Sequence, residues 1–145
     1  MIYIFDIDGT LADCSHRLHF IQQKPVDWEG FFLACVQDKP ILEVIALCRD
    51  LSDCGHTILL ISGRDNKVKT QTLNWLAYQG VICAELYMRK HGDYREDSIV
   101  KGELLDQAIE EFPGKIFGVF EDRRQVVDMY RARGLRVFQV AEGNF

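Results

Sequence analysis

The sequence predicts an α/β fold in which a five-stranded, mainly parallel sheet lies between two layers of helices. Three observations predict it. Short runs rich in Ile, Val, Leu, Phe and Tyr alternate with amphipathic stretches along the chain. The apolar runs are nearly continuous, as in strands covered on both faces. The segments between them are long enough to hold crossover helices. The strand candidates are 1–7, 57–61, 83–88, 116–120 and 136–140.

Each helix has its own boundary signals. Pro40 opens a run with Leu42, Ile45, Ala46 and Leu51 at helical spacing, and Gly55 closes it. Asp65 to Gln79, followed by Gly80, reads the same way. A third helix carries Leu104, Leu105, Ala108, Ile109 and Phe112, with Asp97 or Ser98 as its expected N-cap and Pro113-Gly114 as its stop. The last covers 123–133 and ends at Gly134. The stretch 14–39 breaks the alternation. Asp27 followed by Trp28, Phe31, Phe32 and Cys35 marks one short amphipathic helix, and 15–23 marks another. We read 14–39 as a small helical insertion after strand 1, within one domain spanning 1–145.

Bulk properties narrow the function classes. A chain of 145 residues, 48% apolar and 27% charged, suits a folded globular domain and argues against disorder. No apolar stretch approaches the roughly 18 residues needed to cross a bilayer. Met1 leads directly into strand 1, without a basic segment or small-residue cleavage site, so the expectation is a cytoplasmic protein with no membrane association. Cys14, Cys35, Cys48, Cys54 and Cys83 are scattered and form no C-x-x-C pair, which suits reduced thiols. A formal net charge of −5 argues against coating nucleic acid through bulk electrostatics. It leaves room for a small basic pocket that grips one phosphate or one strand end.

The chemistry collects at the carboxyl ends of the strands, where open parallel sheets bind ligands. Strand 1 ends in Asp6 and Asp8, the second in Ser62-Gly63-Arg64, and the fourth in Glu121-Asp122. The helix beginning near Asp97 supplies Lys101 to the same edge. Acids from two strands suit a hard divalent cation such as Mg²⁺. With that charge offset, a carboxylate can attack phosphorus to form an aspartyl phosphate. A second acid must protonate the departing alkoxide and later deprotonate water. Ser62 and Lys101 are suited to hold phosphoryl oxygens, and Gly9 and Gly63 let backbone amides come close. Phosphate monoesters hydrolyse so slowly unaided that accelerations up to ~10²¹ are known, and a site crowded with charge answers that demand.

Asp6-Ile7-Asp8-Gly9-Thr10, Ile61-Ser62-Gly63, Lys101 and Glu121-Asp122, in that order, resemble the four motifs of the haloacid dehalogenase (HAD) superfamily. The resemblance implies a Rossmann-like three-layer sandwich, with Asp6 as nucleophile and Asp8 as general acid and base. It implies phosphate binding by Ser62, Gly63 and Lys101. It also implies Mg²⁺ binding by Asp6, Asp122 and the Asp8 carbonyl, with Glu121 as a further candidate. The chain is also similar to the 3′-phosphatase domain of phage polynucleotide kinase-phosphatases. That likeness runs through GDYREDSIVKGE, EDRRQVVDMYRARG and FQVAEGNF. It implies a polynucleotide 3′ end as substrate and matches Arg17, Arg64 and Asp97 to substrate-binding or supporting positions. Glu121 stands where that domain has a second Asp, and no G-x-x-x-x-G-K-[ST] kinase motif is present. A separate kinase or ligase is therefore the expected partner.

Arg123 and Arg95, nearest the strand ends, are candidates for contact with a nucleic-acid backbone. Trp28, Phe31 and Phe32 read more simply as the core of the insertion than as a base-stacking platform. Cys14, His16 and His19 lack the further ligands that a zinc site needs. Two other functions stay open: a nucleoside 5′-monophosphatase or small-molecule phosphatase, and a non-catalytic module that binds phosphate or nucleic acid.

Overall fold

The computed structural model describes residues 1–143; Asn144 and Phe145, which end the FQVAEGNF stretch, lie outside the described residues. In chain order the strands are β1 (Ile2–Phe5), β2 (Ala12–Asp13), β3 (Lys39–Pro40), β4 (Thr57–Asp65), β5 (Glu85–Arg89), β6 (Ile116–Arg123) and β7 (Val137–Gly143). The helices are α1 (His19–Gln22), α2 (Trp28–Leu33), α3 (Leu42–Asp53), α4 (Lys69–Tyr78), α5 (Asp97–Glu111) and α6 (Arg124–Ala132). Five strands form one sheet in the order β5-β4-β1-β6-β7, and every neighbouring pair is parallel.

Neighbouring residues of each strand point to opposite faces, and the core divides accordingly. Phe5, Ile58, Leu60 and Leu86 pack against Ile45 and Cys48 of α3 and Trp75 and Leu76 of α4. Ile4, Leu59, Ile61 and Val119 pack against Leu105 and Ala108 of α5 and Val126, Val127 and Tyr130 of α6. Each large apolar side chain buried in these layers contributes roughly 1.5–3 kcal/mol. This is the three-layer α/β arrangement that the continuous apolar runs predict.

β4 and β6 run further than their apolar sequence, as β7 does to Gly143. The reading stops at Ile61 and Phe120, yet β4 continues through Asp65 and β6 through Arg123. Pairing shifts between Ser62 and Asp65, and again between Glu121 and Arg123. Such bulges re-aim side chains at the end of a sheet. Both irregularities fall where the polar motifs begin.

The insertion is closed by a ribbon that the sequence does not advertise. β2 and β3 pair antiparallel, Ala12 opposite Pro40 and Asp13 opposite Lys39. Pro40 therefore belongs to a strand, and the helix it was expected to open begins at Leu42. Between β2 and β3 lie a single 3₁₀ turn over Ser15–Arg17, then α1 and α2, then a second 3₁₀ turn over Ala34–Gln37. Asp27 caps α2 by accepting from the Gly30 amide at 2.8 Å. The expected helix over 15–23 is thus two short pieces. Asp97 is not an N-cap either. Glu96 holds that position without a side-chain cap, and the Asp97 carboxylate turns inward. Among the described residues no helix is long and apolar enough to cross a membrane.

Candidate active site

β1 delivers Asp6 to the centre of the sheet edge, where its amide donates to the Phe120 carbonyl of β6 at 3.0 Å. The chain then turns sharply. The amides of Thr10, Leu11 and Ala12 converge on the Ile7 carbonyl at 3.1, 2.9 and 2.9 Å. Gly9 makes the turn at φ +82°, and a Cβ there would lie 2.1 Å from Asp122 Oδ2. Only glycine permits this approach of β6 to the first motif.

Two charge clusters result. In the inner one, Lys101 Nζ donates to Asp6 Oδ1 at 2.8 Å and to Glu121 Oε2 at 2.9 Å, and lies 3.5 Å from Asp97 Oδ2. Thr10 Oγ1 donates between Asp6 Oδ2 at 3.3 Å and Asp122 Oδ1 at 3.4 Å. Oxygens of Asp6, Glu121 and Asp122 all lie within 4.8 Å of one another, and all three residues are buried. One ammonium cannot balance them. Burial, then repulsion from Glu121, lifts the Asp6 carboxyl to about 8 despite Lys101. Burial, then Asp6, lifts Asp122 to about 7. Three buried carboxylates short of positive charge are the donor set that a hard divalent cation fits. Glu121 is the most committed of them, since its Oε1 also accepts the amides of Asp122 and Arg123 at 3.1 Å each.

The second cluster sits above the first. Asp8 Oδ1 accepts from Arg17 Nη2 at 2.6 Å and from Arg64 Nη2 and Nε at 2.8 and 3.0 Å. Burial alone would raise the Asp8 carboxyl, but Arg64 and then Arg17 outweigh it and hold it below the ordinary range. Both guanidiniums are buried and share a second acid, Asp38. Arg17 Nε and Nη2 reach its two oxygens at 2.9 and 2.8 Å, and Arg64 Nη2 reaches Oδ2 at 2.9 Å. His16 Nε2 approaches Asp38 Oδ1 at 2.6 Å, so this histidine is tied to the acid that the two arginines share. Arg64 also donates to Thr72 Oγ1 at 3.1 Å.

A cavity of about 350 Å³ opens over these clusters. Asp6, Asp8, Lys101 and Asp122 reach its inner end, and Gly63 and Arg123 line its side. Ser62 is fully buried, with its hydroxyl accepting the Arg64 amide at 3.1 Å, and it does not line the cavity. Gly63 lies so near Asp97 that a Cβ would stand 2.1 Å from Oδ1. Arg123 Nη1 is 3.3 Å from Asp97 Oδ2. Arg95, a candidate for contact with a nucleic-acid backbone, lines the same cavity and is paired with Asp93 at 2.8–3.0 Å and Glu103 at 2.7–2.8 Å. The local acids hold this fork in two charge-assisted pairs.

Two residues of the site escaped the sequence reading, and a third, Thr10, appeared there only as part of the first motif. Thr10 bridges the two acids, Asp38 bridges the two arginines, and Arg89 pins the loop that leads into α5. Arg89 donates to the carbonyls of Gly63, Asp93 and Arg95 at 2.9, 3.1 and 2.7 Å, and to Asp97 Oδ1 at 3.0 Å. Asp38 had one available signal. Placing Arg17 and Arg64 beside the lone carboxylate of Asp8 leaves a buried positive charge that demands another acid.

The chain is similar to known proteins in sequence and fold. Residues 1–145 match the family described as the polynucleotide kinase PNKP phosphatase domain. A chain of a Pnkp1/Rnl/Hen1 complex superimposes with a TM-score of 0.79 and 34% identity, covering 99% of this chain and 47% of that one. A chain of the Pnkp1/Rnl/Hen1 RNA repair complex gives 0.80 and 33%, covering 99% and 43%. This chain thus spans less than half the length of either. The D,D-heptose 1,7-bisphosphate phosphatase of B. bronchiseptica, complexed with magnesium and phosphate, shares the fold at 11% identity and a TM-score of 0.64, with 95% and 79% covered. With Asp6 and Asp8 just beyond β1, Lys101 on α5 and Glu121-Asp122 on β6, the match over residues 1–145 carries one conclusion: the chain belongs to the PNKP phosphatase-domain family of HAD-like phosphatases.

Proposed function

We propose that this protein removes the 3′-phosphate of a polynucleotide end, as a Mg²⁺-dependent phosphomonoesterase working through an aspartyl phosphate on Asp6. One observation carries the reading. Asp6 and Asp8, two residues apart, occupy opposite electrostatic surroundings at the inner end of one cavity: Asp6 among acids, Asp8 between arginines. Environments that push two carboxyl groups apart assign them different roles. The family match over the whole chain, and the 33% identity to a chain of an RNA repair complex, support the nucleic-acid end as substrate.

Asp6, Asp122 and Glu121, with the Asp8 carbonyl, would hold Mg²⁺, which supplies charge neutralisation for a carboxylate attacking an anionic phosphoryl group. An Asp6 oxygen forms the bond to phosphorus as the bond to the sugar 3′ oxygen breaks. Asp8 gives its proton to that departing oxygen. Water then attacks the acyl phosphate, Asp8 takes the water's proton, and the bond between Asp6 and phosphorus breaks. The arginines favour the ionised Asp8 needed for the second half. An entering phosphate opposes them and favours the proton needed for the first. Lys101, held charged by Asp6, Asp97 and Glu121 against its burial, and the Gly63 backbone face the phosphoryl oxygens. Ser62, which the sequence offers as a further phosphate ligand, lies behind Gly63 with its hydroxyl on the Arg64 amide, and in this reading it braces the Gly63-Arg64 backbone. Arg17, Arg64 and Asp97 support the acids and the lysine, and Arg123 stands at the rim. A separate kinase or ligase as partner belongs to the same reading.

The test compares 3′-phosphorylated oligonucleotides, 5′-phosphorylated oligonucleotides and nucleoside 5′-monophosphates, each with Mg²⁺ and with EDTA. Mg²⁺-dependent phosphate release from the 3′-phosphorylated strands alone is the expected result. Release only from mononucleotides would replace it with a 5′-nucleotidase, and no release from any ester would leave a binding module.

Metal binding also has a pH signature. Asp6 and Asp122 titrate near 8 and 7 in the folded chain, against 3.8 for an ordinary Asp. Raised carboxyl groups stabilise the metal-free fold fully only below about pH 4, and that contribution declines from there until it is gone above about 7 to 8. A cation that needs both groups ionised displaces their protons, so its affinity climbs over the same interval. At saturating Mg²⁺ the melting temperature is expected to rise by about 5–10 °C at pH 8.5 and by much less at pH 6. An equal shift at both values, read by calorimetry, would contradict a cation seated on these acids.

A further inference from the structure

We propose that Trp28 and Tyr94 receive the unpaired base of the substrate's terminal nucleotide, so that the site takes single-stranded ends; this rests on the polynucleotide 3′-phosphatase reading. The cavity is amphipathic. Charged residues from the strand ends line one part of it, while the insertion contributes Leu18, Ile21, Trp28, Phe31 and Phe32. A phosphate and a sugar alone give that apolar wall nothing to cover. A nucleobase does, since every base has an apolar face for an aromatic ring.

Trp28 is the first residue of α2 and remains 46% exposed although it borders the cavity. The insertion holds it in place. Its ring stacks on Phe32 at 6.1 Å and meets Phe31 edge-on at 6.0 Å. Phe31 is buried and lies under the Arg17 guanidinium at 4.5 Å. The indole is therefore propped by rings that are anchored to the arginine gripping Asp8. Tyr94 is 76% exposed and borders the same cavity from the loop before α5. Arg89 pins that loop through the carbonyls of Asp93 and Arg95 on either side of Tyr94. Two exposed rings on two separately anchored segments thus flank one opening. At about 350 Å³ the space is near the small end of ligand pockets, which suits one nucleotide and not a base pair. The aromatic residues of the insertion, expected from sequence to be its core, divide accordingly. Phe31 is buried and only touches the cavity, and Trp28 stays exposed beside it to face the ligand.

The experiment uses 3′-phosphorylated single strands whose terminal sugar either bears a base or lacks one, and measures kcat/KM for wild type, Trp28→Ala, Trp28→Phe and Tyr94→Ala. Wild type is expected to prefer the base-bearing end about tenfold, the scale of one stacked base. The preference should collapse in Trp28→Ala, shrink in Tyr94→Ala and survive in Trp28→Phe. A blunt duplex 3′-phosphate should react more slowly than the single strand. Should Trp28→Ala fail to fold, binding of the base-bearing strand to Asp6→Asn should quench indole emission. Trp75, buried and bonded to the Asp38 carbonyl at 2.9 Å, is shielded from the ligand. Brisk hydrolysis of both ends by wild type without preference, or unquenched emission on binding, overturns the stacking alone. No hydrolysis of any 3′-phosphorylated strand overturns the functional reading, and the stacking proposal with it.

Discussion

Asp6→Asn is expected to lower phosphate release by at least ~10⁴-fold while leaving the protein folded. The reason lies in one atom. An amide oxygen carries no negative charge and does not attack phosphorus, so removing the nucleophile removes the covalent route altogether. The fold has little reason to object. Asp6 titrates near 8 in the metal-free site, so its resting form at pH 7 is largely the neutral acid that asparagine imitates. The amide oxygen still accepts from Lys101, and its NH₂ faces acidic company at Asp122. The melting temperature in EDTA should stay within about 2 °C of wild type. Initial rates with a 3′-phosphorylated oligonucleotide, paired with melting curves, check both halves. Activity above ~1% of wild type in a folded variant would remove Asp6 from the nucleophile's role.

The largest stability effect is expected at a residue far from the first motif in sequence. Asp38→Ala leaves the buried Arg17 and Arg64 guanidiniums sharing the single carboxylate of Asp8. Breaking a buried ion pair by deleting one partner costs about 3–5 kcal/mol, because the stranded charge cannot reach water. For a chain of this size that is a fall of about 10–16 °C in melting temperature. Asp38→Asn should fare little better, since its NH₂ group must face a guanidinium that has only hydrogens to offer. Activity should drop too, because Asp8 loses the frame that fixes its two arginines. A melting temperature within about 2 °C of wild type for Asp38→Ala would show that the pair of arginines tolerates one acid, and would dissolve the argument.

These residues also mark what could be read in advance. The strands were legible because burial on both faces leaves runs such as Ile58 to Ile61 without a polar residue. Their ends were not. β4 and β6 keep pairing through Ser62–Asp65 and Glu121–Arg123, where burial is shared among charges and no apolar signal survives. Asp6, Asp8, Lys101 and Glu121-Asp122 were legible as a group because spacing and strand position place them together. Asp38 sits in Gln37-Asp38-Lys39-Pro40, a composition that reads as an ordinary turn. Its burial is set by Arg64, 26 residues away, and by a ribbon of only two residues per strand. Local sequence carries no trace of either. Arg89 was hidden for a similar reason: one arginine on an edge strand looks like any solvated charge until the loop it pins is known.

The β2–β3 ribbon has a wider consequence. By setting Ala12 opposite Pro40, it brings the entry and exit of the insertion side by side, so the intervening segment is spliced onto the sheet as a detachable cassette. The cassette is keyed, however. Arg17 at its front and Asp38 at its back both engage Arg64 or its partner Asp8 in the scaffold. Grafting a different cassette to change which leaving group enters should therefore succeed only when these two positions, and the Phe31 ring under Arg17, travel with it, while the cavity-lining Leu18, Ile21 and Trp28 are the positions to rewrite.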